Sequence, residues 1–306
     1  GRSRPSRTQK NYQDEQKTQE KSMRTTTTSQ MNNHELINDL REAYMEVIPT
    51  PNIEEKLRIL QPDSYVAVTC SPTKGVDETL DLSERLVDQG FRVAPHIAAK
   101  CVRNETHLSH IMQKLDALKI DSIFVPGGDR AEPLGDFDTA FELLKAINNF
   151  DHGLKEIGIA AHPEGHPDIA DEMLLKELEK KKNLAQYIVT QMCFDADALG
   201  KWLVDISRRG IKLPVWIGLP GAIERTRLFK TSLRIGVGDS LRFLRKKSVV
   251  AAELMKSSVY RPDDLVTDIA QYKNVADTNI AGYHIFCFNQ VESTEKWRNE
   301  TIARLQ

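Results

Sequence analysis

Long apolar runs are missing from this 306-residue chain. No stretch approaches the ~20 consecutive apolar residues that a membrane-spanning helix needs. Its first residues also lack the apolar core of a secretion signal, so a cytoplasmic setting is expected and a membrane partner is not. Cysteine is scarce: Cys70, Cys101, Cys193 and Cys287 stand far apart with no CxxC spacing. That excludes a paired-cysteine zinc site and a secreted disulfide framework. An excess of positive charge is absent too. Lys and Arg number 42 against 44 Asp and Glu, a net charge of -2, and without a sustained basic stripe nucleic acid is excluded as the main partner. The one basic run, Arg242, Arg245, Lys246 and Lys247, reads as a solvated helix end. No GxGxxG follows the first apolar segment, which argues against an open dinucleotide-binding sheet. The turn Gly236 to Ser240 resembles a phosphate cradle, but it lies late in the chain after a helical stretch and is weak as a fingerprint.

Aliphatic residues are nearly lacking from residues 1–32, which are rich in Gln, Thr, Ser, Lys and Arg. Such a segment cannot bury enough surface to offset its ordering entropy, so a disordered tail is expected there and one folded domain over 33–306. With 40% hydrophobic residues overall, that domain has material for a large core. Short β-branched apolar runs occur at Tyr44–Pro49, Tyr65–Cys70, Arg92–Ala98, Ser122–Gly127, Ile157–Pro163, Tyr187–Met192, Val215–Pro220 and Tyr283–Asn289. Between them lie segments of helical period, such as Glu78–Gln89, Glu105–Leu118 and Ala196–Arg209. Strand-helix alternation implies a parallel sheet with crossover helices. Eight nearly continuous apolar strands imply that the sheet closes into a (β/α)8 TIM-type barrel, an α/β fold whose usual size fits the roughly 270 residues after the tail. The long interval from about 220 to 282 must hold more than one helix.

In such a barrel the chemistry sits at the C-terminal strand ends. Those ends carry Glu46, Thr69, His96, Asp129 after two glycines, the segment His162-Pro-Glu-Gly-His166, Thr190 with Gln191, and Asn289. A carboxylate inside an apolar strand is the least expected of these. Burying an unpaired charge is costly, so Glu46 must be neutral, paired or turned to a polar pocket. A pairing with His96 or a lysine is the structural alternative to a functional role. Asp129 follows a Gly-Gly turn, where Asp is also common for conformational reasons. Two histidines and Glu164 within five residues invite a metal reading completed by His96 and Asp129; the flanking prolines suit a rigid loop shaped around a ligand better, and no metal is expected. Gln191 offers donors and an acceptor for a heterocycle edge, or for a backbone group at the rim.

Together, Glu46-Val-Ile-Pro-Thr-Pro51, Val93-Ala-Pro-His96, Gly128-Asp129, Ala161-His-Pro-Glu-Gly-His-Pro167 and Thr190-Gln-Met-Cys-Phe-Asp195 resemble the methylenetetrahydrofolate reductase barrel. Each motif alone is weak, but all five come in the family's order, from matching strands. The resemblance implies NAD(P)H-dependent reduction of 5,10-methylenetetrahydrofolate to 5-methyltetrahydrofolate, usually through FAD. It makes Glu46 the general acid that helps open the folate's five-membered ring, a role that partial burial favours. It sets Asp129 between flavin and pterin and Gln191 on the pterin edge. It puts Thr69, His96, Gly128, His162, His166 and Lys180 against the flavin. Self-association into a homo-oligomer is compatible with the sequence and not required by it.

The chain also departs from that family pattern. The usual Arg-Gly-Asp after strand four reads Gly127-Gly128-Asp129, which removes a cation facing the flavin. His162 stands where the family has an aromatic residue, and Ile217-Gly-Leu-Pro-Gly221 replaces the usual loop after strand seven. The pterin-side residues Glu46, Asp129 and Gln191 are retained, so folate is better supported than FAD, and direct hydride transfer from nicotinamide is admissible. A folate-dependent methyltransferase barrel without redox chemistry and a non-catalytic folate-binding barrel are the rival readings, with a metal-dependent hydrolase third.

Overall fold

The computed structural model describes residues 33–235 and 258–306. The expected tail, the Gly236 to Ser240 turn and the basic run at 242–247 all lie outside them. Eight strands form one sheet: β1 (Tyr44–Val47), β2 (Tyr65–Val68), β3 (Arg92–Pro95), β4 (Ser122–Val125), β5 (Glu156–Ala161), β6 (Tyr187–Thr190), β7 (Val215–Pro220) and β8 (Ile280–Phe286). Their spatial order is β3-β2-β1-β8-β7-β6-β5-β4, and each neighbouring pair in it is parallel. The two ends meet where His96 bridges Phe124 and the Ile97 N–H donates to the Phe124 carbonyl at 2.8 Å. The sheet is thereby the closed barrel expected from strand counting.

The period-2 alternation of side chains explains the closure. Met45, Val47, Val66, Val68, Ile123, Val125, Ile159 and Ile188 belong to the large core shared with the helices. The alternate residues Tyr44, Ala67, Ala94, Phe124, Tyr187, Val189 and Trp216 line a cavity within the barrel. Large residues there face small ones. The Tyr187 ring passes so close to Gly158 that a Cβ at that glycine would stand 2.3 Å from it. Helices over Gly75–Asp88, Glu105–Ala117, Ala140–Ile147, Asp171–Lys181 and Ala196–Arg208 follow their strands. Their starts are fixed by local chemistry. The Asn104 side chain accepts from the His107 N–H, Thr139 and Glu142 form a capping box, and Asp195 accepts from the N–H groups of Asp197 and Ala198, each cap contributing about 1 kcal/mol.

Among the described residues between β7 and β8 are two helices, Arg225–Arg234 and Asp263–Ala270, consistent with the length of that interval. The two-residue strands Ile223–Glu224 and Val259–Tyr260 pair antiparallel beside them. Helix Val291–Leu305 follows β8. Among the described residues no helix is long and apolar enough to cross a membrane.

Candidate active site at the barrel mouth

Parallel pairing brings every strand's C-terminal end to one mouth, and the inward positions near it include three polar residues in mutual reach. Glu46 on β1 stands opposite Phe286 and Ala67, whereas His284 on β8 stands opposite Tyr44. The two are therefore diagonal neighbours on the inner face. His284 Nε2 and Glu46 Oε2 share a hydrogen bond at 2.8 Å. His96, immediately after β3, brings its Nε2 to 3.9 Å from the same oxygen. All are largely withdrawn from water: side-chain exposure is 12% for Glu46, 8% for His96 and 4% for His284. The Cys287 thiol donates to the Glu46 backbone carbonyl at 3.0 Å, which fixes the strand beneath the carboxylate.

The imidazoles differ in state. Burial pushes the His96 pKa down to about 4 against the opposing pull of Glu46, so His96 is neutral at pH 7. Its Nε2 is buried and has no hydrogen-bond partner among the described residues. Linkage fixes the consequence. A histidine held neutral in the fold contributes stability above its unfolded pKa of about 6.5, and that contribution is lost as pH falls through the window down to about 4. For His96 the full effect is on the order of 3 kcal/mol. His96→Gln is expected to flatten the fall in urea midpoint between pH 7.5 and pH 4.5; an unchanged slope would show that another group causes the fall.

Glu46, His96 and His284 each present one ligand atom, all within 4.8 Å of one another, and two imidazoles with a carboxylate form a common zinc donor set. Distances argue otherwise for the arrangement present. Two ligands on one tetrahedral ion with bonds of about 2.0–2.1 Å stand roughly 3.3 Å apart, whereas Glu46 and His284 meet at 2.8 Å. That is a hydrogen bond, and a shared ion would have to break it.

The loop after β5 is held by its own carboxylate. Glu164 Oε1 accepts from the N–H groups of Phe194 and Asp195 at 2.6 and 2.9 Å, which joins this loop to the start of helix Ala196–Arg208. His166 Nδ1 accepts from the Asp168 N–H at 3.1 Å, and the His162 and His166 rings meet edge to face at 5.3 Å. His162 is pushed down to about 4 by burial, then by His166 and Lys181. Helical rotation separates the two adjacent lysines. Lys180 is exposed and pairs with Glu177 at 2.5 Å, while Lys181 is the one whose charge reaches His162 and whose own pKa burial lowers.

Gly128 has φ +98°, and a Cβ there would meet Ala98 at 3.2 Å, so both conformation and space require glycine. Asp129 follows it, exposed at the mouth. Arg130 stands one residue beyond, with its guanidinium donating to the carbonyls of Pro72 and Glu132. Gln191 Oε1 accepts from the Met192 N–H at 2.8 Å, the rim-capping contact, which leaves its amide NH2 for other partners. The Thr69 N–H donates to the Val47 carbonyl at 2.9 Å. Asn289 bonds both backbone groups of Ile48 and pins the end of β1. No hydrogen bond or ion pair among the described residues joins Asp129, Gln191 or Lys180 to Glu46.

Two features escaped the sequence reading. His284 lies in mid-strand rather than at a strand end, and its only signal was inward parity two positions before Phe286. Cys70 and Cys101, distant in sequence, bring their thiols into side-chain contact after β2 and β3.

The family model described as methylenetetrahydrofolate reductase matches residues 51–229. Methylenetetrahydrofolate reductase 2 of Saccharomyces cerevisiae is 29% identical over 96 residues, which cover 30% of this chain and 16% of the yeast protein. Methylenetetrahydrofolate reductase 1 of Schizosaccharomyces pombe is 32% identical over 93 residues, 30% of this chain and 15% of that protein. The aligned segment is thus a small part of either relative.

Proposed function

Because the chain belongs to the methylenetetrahydrofolate reductase family, we propose that it interconverts 5,10-methylenetetrahydrofolate and 5-methyltetrahydrofolate, with a nicotinamide cofactor as redox partner. The observation that carries this reading is Glu46, a carboxyl group set inside the barrel mouth and hydrogen-bonded to an imidazole there. A carboxyl in that setting suits proton donation to a bound ligand. In the reductive direction Glu46 gives its proton to N10 of the folate as the bond from the bridging carbon to N10 breaks, and the bridge becomes an N5 iminium. Two electrons and a hydrogen then arrive as hydride from the reduced nicotinamide, giving the N5-methyl group and the oxidised nicotinamide. Glu46 recovers its proton from solvent. Asp129 and the Gln191 amide NH2 are assigned to the pterin, holding the iminium carbon toward the donor.

The mouth also suits a flavin. The Gly127-Gly128 backbone is bare, with open space beside Gly127, and Thr69 and His162 supply uncharged donors for an acceptor-rich heterocycle, with the His166 ring beside His162. When bound, FAD would relay hydride between nicotinamide and folate. The family's flavin-side arginine is missing at Gly127, and the nearby cations are engaged within the chain: the Arg130 guanidinium donates to two backbone carbonyls, and Lys100 pairs with Asp138 at 3.5 Å and donates to the Arg130 carbonyl. Two measurements on the full purified chain test the proposal. Nicotinamide oxidation that depends on methylenetetrahydrofolate is the expected result, and its absence overturns the reductase reading in favour of methyl transfer or binding alone. An absorbance band at about 450 nm in the freshly purified protein reports flavin, and its absence assigns the hydride directly to nicotinamide.

A further inference from the structure

We propose that His284 is a positioning residue for Glu46: its Nε2–H fixes Oε2 and so selects Oε1 as the oxygen that carries the proton. The inference rests on the reading of Glu46 as the general acid. Two imidazoles flank this carboxyl, but only one is bonded to it. His284 Nε2 lies 2.8 Å from Oε2, whereas His96 Nε2 stands off at 3.9 Å and has no hydrogen-bond partner among the described residues. Oε1 makes no hydrogen bond among the described residues. A neutral carboxyl in this setting accepts from His284 through its carbonyl oxygen, Oε2, and keeps the proton on Oε1.

The His284 ring is not free to follow the carboxyl elsewhere. It stacks on Tyr44 at 6.1 Å with planes 22° apart, and Phe286 tilts against it at 5.2 Å. Its strand is registered directly to β1, with Tyr44 opposite His284 and Glu46 opposite Phe286. The donor is therefore built into the same sheet that carries the acid.

This contact gains strength as the proton leaves. The bond from an imidazole N–H to a neutral acid becomes a bond to a carboxylate, roughly twice as strong. An interaction that grows toward the transition state raises kcat rather than tightening substrate binding. It also favours the ionised form of Glu46, so its loss makes the carboxyl keep its proton to higher pH. The other titrating groups around Glu46 change outside the useful range. Burial holds His96 down at about 4 and Cys287 up at about 12, and raises the Tyr44 phenol above its usual range.

The test compares His284→Leu and His284→Asn, which remove the donor or its reach, with His284→Gln, whose amide N–H occupies the place of Nε2. In the full chain, the first two are expected to lose about 10²-fold in kcat with methylenetetrahydrofolate, the usual cost of one such donor. Their KM should stay within about 3-fold, and the alkaline limb of kcat should move up by about one pH unit. His284→Gln should recover most of both. Ligand-free carbon-13 titration of the Glu46 carboxyl, assigned with Glu46→Gln, should show the same upward shift. Because this last measurement needs no turnover, it separates the two claims. A shifted carboxyl without reductase activity sinks the general-acid reading and leaves the positioning contact. Normal turnover with an unshifted carboxyl in a folded His284→Asn protein overturns the positioning role, as does a His284→Gln variant no better than Leu.

Discussion

Glu46→Gln is expected to lower the turnover of methylenetetrahydrofolate by about 10³-fold while KM changes by only a few fold, within the range for removal of a positioned general acid. Glutamine keeps the shape of the side chain, and its amide can still hydrogen-bond His284 Nε2, which lies 2.8 Å from Oε2 in the wild type. What it loses is the transferable proton. Ring opening then has to draw its proton from water, and the loss falls on the chemical step rather than on binding. Steady-state kinetics with a folate-binding titration separate the two. A variant that binds and turns over like the wild type would mean that Glu46 is a structural partner of His284 and that the barrel acts by methyl transfer or by binding alone.

The fold was legible because it depends on two periodicities that sequence displays directly. The alternation in β1, with Met45 and Val47 facing the helices and Tyr44 and Glu46 facing inward, is the same pattern that closes the barrel. Strand ends were less sharp. β1 stops at Val47 rather than Pro49, because Pro49 has no N–H to donate to a ladder. Of the site, the residues at strand ends could be found by position, and Glu46 by the cost of an inward charge. Its partner could not. His284 is separated from it by 238 positions, and only the β1–β8 register brings them together. For the same reason the sequence could not tell whether Glu46 pairs with His96 or with another group. His96 is near, but burial leaves it neutral and 3.9 Å away. Lysine 180 and its neighbour illustrate a different limit. One residue of helix rotates a side chain by about 100°, so a motif that falls within one position does not decide which lysine approaches His162.

Arg298→Met is expected to destabilise the fold by about 3–5 kcal/mol, the cost of removing one partner from a buried ion pair. Helix Val291–Leu305 carries Trp297 fully buried, and beside it Arg298 and Glu295 pair at 2.5 Å with side-chain exposures of 5% and 3%. Arg298 also donates to the Ala43 carbonyl at 3.5 Å, just before β1. The substitution leaves the Glu295 carboxylate buried with only the Asn299 amide, at 3.1 Å, as a recorded partner. The loss should lower Tm by roughly 10 °C for a domain of this size. The pair itself is worth much less than its breakage, because each ion also gave up its hydration. Glu295→Leu combined with Arg298→Met should therefore recover most of the stability, and urea unfolding of both variants measures the difference. Ala43 precedes β1 at the N-terminal face of the barrel, opposite the mouth, where substitutions bear on stability rather than chemistry. Below its lowered Tm, Arg298→Met should keep wild-type kcat, so a kcat loss in the folded variant would mean that the helix transmits strain through β1 to Glu46.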